Sequence, residues 1–270
     1  MNPSTPIRVG AVAYLNTQPL VYRLDELAPY AEVVYDLPSR LADNLARGWL
    51  DVALIPSIEL LSDPDYTIVS DACIACRGPV FSVKLLSRKP LSNIRTLALD
   101  EGSRTSVALV QILLDRKFGI LPEFQPLPIG HDINDTDADA VLLIGDRAMH
   151  CRSEDYAEVW DLGEQWCRWS ELPFVFAMWT ARPGIELHGL EVALGFARDA
   201  GLQHIQEIAD QQARVHGLTR ECCLSYLRDN LHFTLGDRER LGLETFYQEA
   251  SRLGLVPSGS ELAMRSKETT

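Results

Sequence analysis

Polar side chains that could act on a ligand gather in this chain at four short junctions, each after an apolar run. They are Tyr14-Leu15-Asn16-Thr17, Pro56-Ser57, Gly102-Ser103-Arg104-Thr105-Ser106 and Gly145-Asp146. The third puts three hydroxyls and a guanidinium at the start of an amphipathic helix, where the helix dipole and free backbone N–H groups favour negative charge. A carboxylate there would accept hydrogen bonds from the Thr105 or Ser106 backbone and from side-chain hydroxyls. Arg104 would add a charge-assisted bond if it points inward. At the first junction Asn16 and Thr17 stand between a strand and a helix, and Pro19 is tolerated in a first turn whose amides lack partners anyway. Both junctions also read as plain helix caps. The chemistry they share is the holding of a small anion.

Other chemistries find less support. Cys73 and Cys76 form a C-x-x-C, but Arg77-Gly78-Pro79 and another apolar strand follow, where a redox motif should open a helix. A zinc site would want a second pair, yet Cys222 and Cys223 are adjacent and the six histidines show no H-x-x-x-H spacing. Buried structural thiols are the expectation for Cys73 and Cys76. The histidines are expected in loops or helices away from the four junctions. Trp160, Trp166 and Trp169 form a rich aromatic segment that reads as packing between lobes or as a ligand wall, packing being the commoner use.

A chain of 270 residues with 46% apolar residues can bury one large core or two modest ones. Its net charge of −13 repels nucleic acid and anionic membranes, so neither is an expected partner. The start M-N-P-S-T-P lacks a basic segment and an apolar run, no stretch reaches membrane-spanning length, and the cysteines suit a reducing compartment. A cytosolic protein is expected.

The elements that must position the junctions alternate. Strands are predicted at residues 7–13, 31–37, 51–55, 66–71 and 80–87, with a helix after the first and another capped by Ser39. A second unit begins near Pro90, with strands at 96–99, 123–127, 140–144 and an edge strand at 159–162. Its main helix is capped by Ser103. A strand at 174–180 precedes helices broken near Gly201, capped by Thr219, and closing at 237–253. Their apolar stripes would serve a homodimer as easily as the lobe's own core, and the polar tail after Pro257 reads as disordered.

This order predicts an α/β protein of two lobes, the first discontinuous (1–88 with 178–270) and the second inserted (89–177). The strands at 80–87 and 174–180 would cross between them as a hinge. Ligands of open α/β sheets sit beyond the carboxyl ends of the strands, which directs all four junctions at one cleft.

The stretches Y-L-N-T-Q-P-L, L-D-V-A-L-I-P-S-I-E, G-P-V-F-S-V, A-L-D-E-G-S-R-T-S-V-A-L and L-L-I-G-D-R-A, in this order and spacing, resemble the chorismate dehydratase family of the futalosine route to menaquinone. The resemblance runs from about residue 7 to about residue 255. It implies a type II periplasmic-binding-protein-like fold used as an enzyme, with neither metal nor organic cofactor. The implied reaction removes water from chorismate, a dicarboxylate, to give 3-[(1-carboxyvinyl)oxy]benzoate. It also implies Asn16 as the residue nearest the chemistry, and Ser82, Ser103, Arg104, Thr105 and Ser106 as carboxylate or hydroxyl contacts. Cys76 departs from the small hydroxyl residue expected at its position.

Such an elimination needs a base for a ring proton and a donor for the leaving hydroxyl. Two bases stand as alternatives. One is the substrate's own enolpyruvyl carboxylate, with Asn16 orienting that group or the hydroxyl. The other is a protein carboxylate, Asp146 first and Glu59 second, raised by burial. Two other functions are kept beside dehydration: the sister synthase of 1,4-dihydroxy-6-naphthoate, which relies on a histidine, and a non-catalytic binding module for a small anion.

Overall fold

The computed structural model describes residues 6–256, so the tail after Pro257 lies outside the described residues. In chain order the strands are Ile7–Val12 (β1), Ala31–Asp36 (β2), Val52–Pro56 (β3), Thr67–Cys76 (β4), Val83–Ser87 (β5), Thr96–Asp100 (β6), Glu123–Leu127 (β7), Ala140–Ile144 (β8), Glu158–Asp161 (β9), Phe174–Ala181 (β10) and His232–Thr234 (β11). They form two mixed sheets, β11-β4-β10-β3-β1-β2 and β7-β6-β8-β5-β9. Every residue of β3 and β8 is buried, as their unbroken apolar runs require of strands covered on both faces.

β1 runs parallel to β2 and β3, and β6 runs parallel to β7 and β8. β10 is antiparallel to both β3 and β4. The carboxyl ends of β1 to β4 therefore share one edge of the first sheet, and those of β6 and β8 one edge of the second.

The chain leaves the first sheet through residues 77–82 and returns through the helix Leu162–Ser170. The strands expected at the crossings, β5 and β10, begin as the chain arrives in each sheet. One carboxylate ties both crossings together. Asp161 Oδ1 accepts from the Val80 amide at 2.9 Å and the Glu164 amide at 3.0 Å, while Oδ2 accepts from the Phe81 amide at 2.6 Å. Held this way, Phe81 adopts φ +66°, a conformation that costs an aromatic residue free energy and turns the next residue, Ser82.

Beneath the second crossing, Trp166 is fully buried with Phe174 and Phe246 at ring-centroid distances of 5.2 and 6.1 Å. Its Nε1 donates to the Pro173 carbonyl at 3.1 Å. Trp160 stacks on Phe118 and Trp169 leans on Trp166. The tryptophans are packing between elements, and none lines the cleft. Cys73 and Cys76 lie within extended β4, where residues three apart face opposite sides of the sheet, so their spacing cannot act as a helix-opening motif. Burial pushes the Cys73 thiol up; a hydrogen bond to Cys167 together with burial does the same to Cys76.

Several local expectations give way to tertiary contacts. After β1 the chain forms not an α-helix but a 3₁₀ helix, Leu15–Val21, and Arg23 at φ +53° separates it from Leu24–Leu27. The helix Leu190–Gln203 presses on this segment so closely that a Cβ at Gly201 would meet the Pro19 carbonyl oxygen at 2.2 Å. Gly201 thus lies inside a helix that it was expected to break, and the break falls at His204. Ser39 caps nothing. Leu37 holds the cap position before Pro38, and the Ser39 amide donates to the Gly102 carbonyl in the facing unit at 3.3 Å. Ser103 and Thr219 cap their helices as expected, accepting from the Ser106 and Cys222 amides at 3.2 and 3.1 Å. The short β11 and the π-turn Tyr226–Asn230 carry no sequence signal. Among the described residues no helix is long and apolar enough to cross a membrane.

At the far edge Asp51 binds Arg8 through its backbone and guanidinium, and Arg182 at 2.7 Å, pinning β1, β3 and β10. Burial alone would raise this carboxyl, but the hydrogen bonds from Arg8 and Arg182 hold it well below the usual range. A depressed folded value means that the stabilisation is whole above the unfolded value of about 4 and fades as pH falls toward the folded one. Asp51→Asn should therefore lower the urea midpoint at pH 7 and shrink the drop between pH 5 and pH 2.5; equal drops in both proteins would refute this. Asp161→Ala orphans three amides at the crossings and should cost about 3 kcal/mol in urea unfolding.

Candidate functional site

The strand ends of the two sheets face each other across a cleft. Its polar wall is made by Tyr14, Asn16, Ser82, Ser103, Thr105 and Ser106, and apolar residues such as Val12, Ile74 and Phe176 supply much of the rest. Tyr14 and Asn16 come from the end of β1, Ser82 from the first crossing, and the other three from the start of the helix Arg104–Phe118.

At that helix start, the Ser103 cap leaves the first-turn amides of Arg104 and Thr105 without intrahelical acceptors. Buried Asp100 supports the turn from behind. Its oxygens accept from the Gly102 amide at 2.9 Å, the Ile144 amide at 3.3 Å and the Arg147 guanidinium at 2.5 Å. Thr105 Oγ1 accepts from the Ile58 amide at 3.3 Å and lies 3.4 Å from Ser57 Oγ. Ser57 spends its proton on the Val175 carbonyl at 2.7 Å. Ser57 is thus fully buried behind Thr105 and does not line the cleft.

Tyr14 lays its ring on Gly145, where a Cβ would sit 2.8 Å from the ring, and Gly145 adopts φ +64°. Burial, with the nearby Asp100 carboxylate, pushes the Tyr14 hydroxyl well above its ordinary value, so it stays a neutral donor at physiological pH. Thr17 is fully buried beneath Asn16 and donates to its Oδ1 at 3.4 Å.

Arg104 turns away from the cleft. Its guanidinium meets Asp43 at 2.6 Å and Glu59 at 3.2 Å along an outer groove, so the arginine and the second carboxylate considered as a base are engaged with each other. Asp146 lies behind Gly145 rather than in the lining, accepting from the Leu15 amide at 3.4 Å and contacting His216 Nδ1 at 2.9 Å. The expectation that every histidine lies far from the junctions is corrected by this pair. His216 sits in the loop after Ile205–Gln212, a connection whose path periodicity does not reveal.

Sequence reasoning also missed Pro38, which lines the cleft at the end of β2. The rule of strand carboxyl ends would have found it, since β2 is parallel to β1. Tyr226 was missed for want of any local signal. It is 1% exposed and its hydroxyl donates to Ser82 Oγ at 2.9 Å. Among the described residues, those lining the cleft include no aspartate, glutamate, histidine, lysine or arginine. The site can hold an anion through neutral donors and helix amides, and it offers no ionised side chain as a base.

Over residues 7–252 the sequence matches the family described as menaquinone biosynthesis. The chain belongs to this family. Within curated proteins it is similar to a chorismate dehydratase of Thermus thermophilus, at 32% identity over 268 aligned residues covering 93% of this chain and 96% of that one. Its fold is similar to a solved protein of Archaeoglobus fulgidus, with TM-score 0.77, 18% identity, and 94% and 99% of the two chains covered. It is also similar to the periplasmic aliphatic sulphonate binding protein of Escherichia coli, with TM-score 0.60, 16% identity, and 94% and 89% covered. The family member thus has the two-lobed fold of periplasmic binding proteins.

Because Gly145 is both left-handed and covered by Tyr14, Gly145→Ala should cost about 2 kcal/mol in urea unfolding. Gly78→Ala, where an added methyl meets nothing within 4 Å, should change stability little. Equal effects at both positions would remove the role given to the Tyr14 contact.

Proposed function

We propose that this chain is a chorismate dehydratase: it removes the ring hydroxyl of chorismate and a neighbouring ring hydrogen as water, giving 3-[(1-carboxyvinyl)oxy]benzoate. The carrying observation is the 32% identity to a chorismate dehydratase, which spans nearly the whole of both chains. The reaction belongs to the futalosine route to menaquinone, and we place it in the cytosol.

The cleft suits a dianion in an acidic protein because it attracts charge locally. One carboxylate sits at the start of Arg104–Phe118, held by the free amides and by Ser103, Thr105 and Ser106. Asn16, Ser82 and Tyr14 face the enolpyruvyl and hydroxyl side of the ring. Arg104 is outside this arrangement; its positive charge is spent on Asp43 and Glu59.

For the base, the position of the protein carboxylates favours the substrate. Asp146 is held by His216 and the Leu15 amide, and Glu59 by Arg104, so neither projects into the lining. The enolpyruvyl carboxylate takes the ring proton and returns it to the departing hydroxyl, through a hydrogen-bonded wall hydroxyl that receives one proton as it gives one, so that H and OH leave as water and aromatisation drives the step. His216 lends the sister synthase no support, since it stands behind Asp146 and outside the cleft lining.

Purified protein mixed with chorismate should yield the benzoate product, followed by ultraviolet absorbance and mass. Unchanged chorismate at high protein concentration would favour a binding module instead. In single turnover, Asn16→Ala should slow the chemical step about a hundredfold while still binding chorismate. Asp146→Asn should keep the step within about tenfold of the wild type. Complete loss of chemistry in Asp146→Asn with binding intact would overturn the substrate base.

A further inference from the structure

One polar group of the cleft wall, Ser82, is held by a residue that does not line it. Tyr226 opens the π-turn Tyr226–Asn230, the kind of helical irregularity that recurs at functional sites, and it is 1% exposed. Its hydroxyl donates to Ser82 Oγ at 2.9 Å. Phe81, strained at φ +66°, lies with its ring 6.0 Å from that of Tyr226, so the conformation that turns Ser82 is also packed against the phenol.

The direction of donation has a chemical consequence. A serine hydroxyl has one proton and two acceptor sites. With the Tyr226 proton filling one acceptor site, Ser82 keeps its own proton for the cleft that it lines. Accepting from the phenol strengthens Ser82 as a donor by polarisation. Burial keeps the Tyr226 phenol neutral, so it orients and polarises Ser82 without supplying a net proton.

We propose that Tyr226 is a positioning residue that commits Ser82 as a donor to the leaving hydroxyl or the enolpyruvyl carboxylate. The identity of that ligand oxygen rests on the chorismate reading above.

The test is a double-mutant cycle between Tyr226→Phe and Ser82→Ala, read on kcat, KM and thermal unfolding. Tyr226→Phe keeps the ring and its packing, so Tm should stay within about 4 °C of the wild type. Its kcat should fall about thirtyfold, with KM moving less than about threefold, because the interaction matters most as charge shifts in the reaction. Ser82→Ala should behave similarly, and adding it to Tyr226→Phe should cost less than about twofold more, since both changes remove one unit. Multiplying effects, or a Tyr226→Phe enzyme with wild-type kcat, would overturn the proposal. Wild-type protein that binds chorismate without turnover would sink the dehydratase reading alone. The same cycle read on chorismate affinity by calorimetry would then decide the positioning role, non-additive losses supporting it and additive or absent losses refuting it. A wild type that neither converts nor binds chorismate would sink both.

Discussion

Both places where the chain passes between its two sheets hang from one side chain. Asp161 accepts the amides of Val80 and Phe81 on the outward path and caps the helix of the return path through Glu164. Without that carboxylate, three amides in a half-buried crossing would compete for water that the packing around Trp166 and Phe174 excludes. This clamp fixes the two crossings against each other. The left-handed Phe81 depends on it too, and is affordable only because its amide is held and its ring is packed.

A protein with a net charge of −13 that binds a dianion faces an unfavourable overall field. The structure answers with local dipoles rather than with free cations. Arg104, in the first turn of the cleft's helix, and Arg147, on the Asp100 behind that turn, are matched by Asp43, Glu59 and Asp100. What lines the cleft instead is a helix amino end, four hydroxyls, a phenol and an amide. Neutral donors held in place need little reorganisation around a developing charge, whereas a mobile arginine would need more. Among the described residues, the wall carries no ionised side chain.

The facing sheets also touch directly. Tyr14 lies on Gly145, the Ser39 amide reaches the Gly102 carbonyl, and Asp146 meets both His216 and the Leu15 amide. These contacts surround the ligand cavity and join first-sheet loops to second-sheet junctions. Closure of the cleft and construction of its wall are thus parts of one set of contacts, in which the first junction of the chain takes part twice.

The sequence by itself determined the strands other than β11, because runs such as Ala140–Ile144 are apolar without interruption and can lie only between two covered faces. It determined the caps at Ser103 and Thr219, which are local hydrogen bonds, and it directed the four junctions at one cleft through the carboxyl-end rule. The tertiary structure alone decided where side chains point. Arg104 turns out to Asp43 and Glu59, Ser57 and Thr17 serve as supports, and Gly201 admits a neighbouring backbone instead of ending a helix. Tyr226 and His216, 144 and 70 residues from the groups they hold in Ser82 and Asp146, carry no periodic signal. Periodicity records which face of an element is buried, a property of neighbours in sequence. The partner that a polar atom finds depends on long-range packing, which no short stretch of the chain encodes.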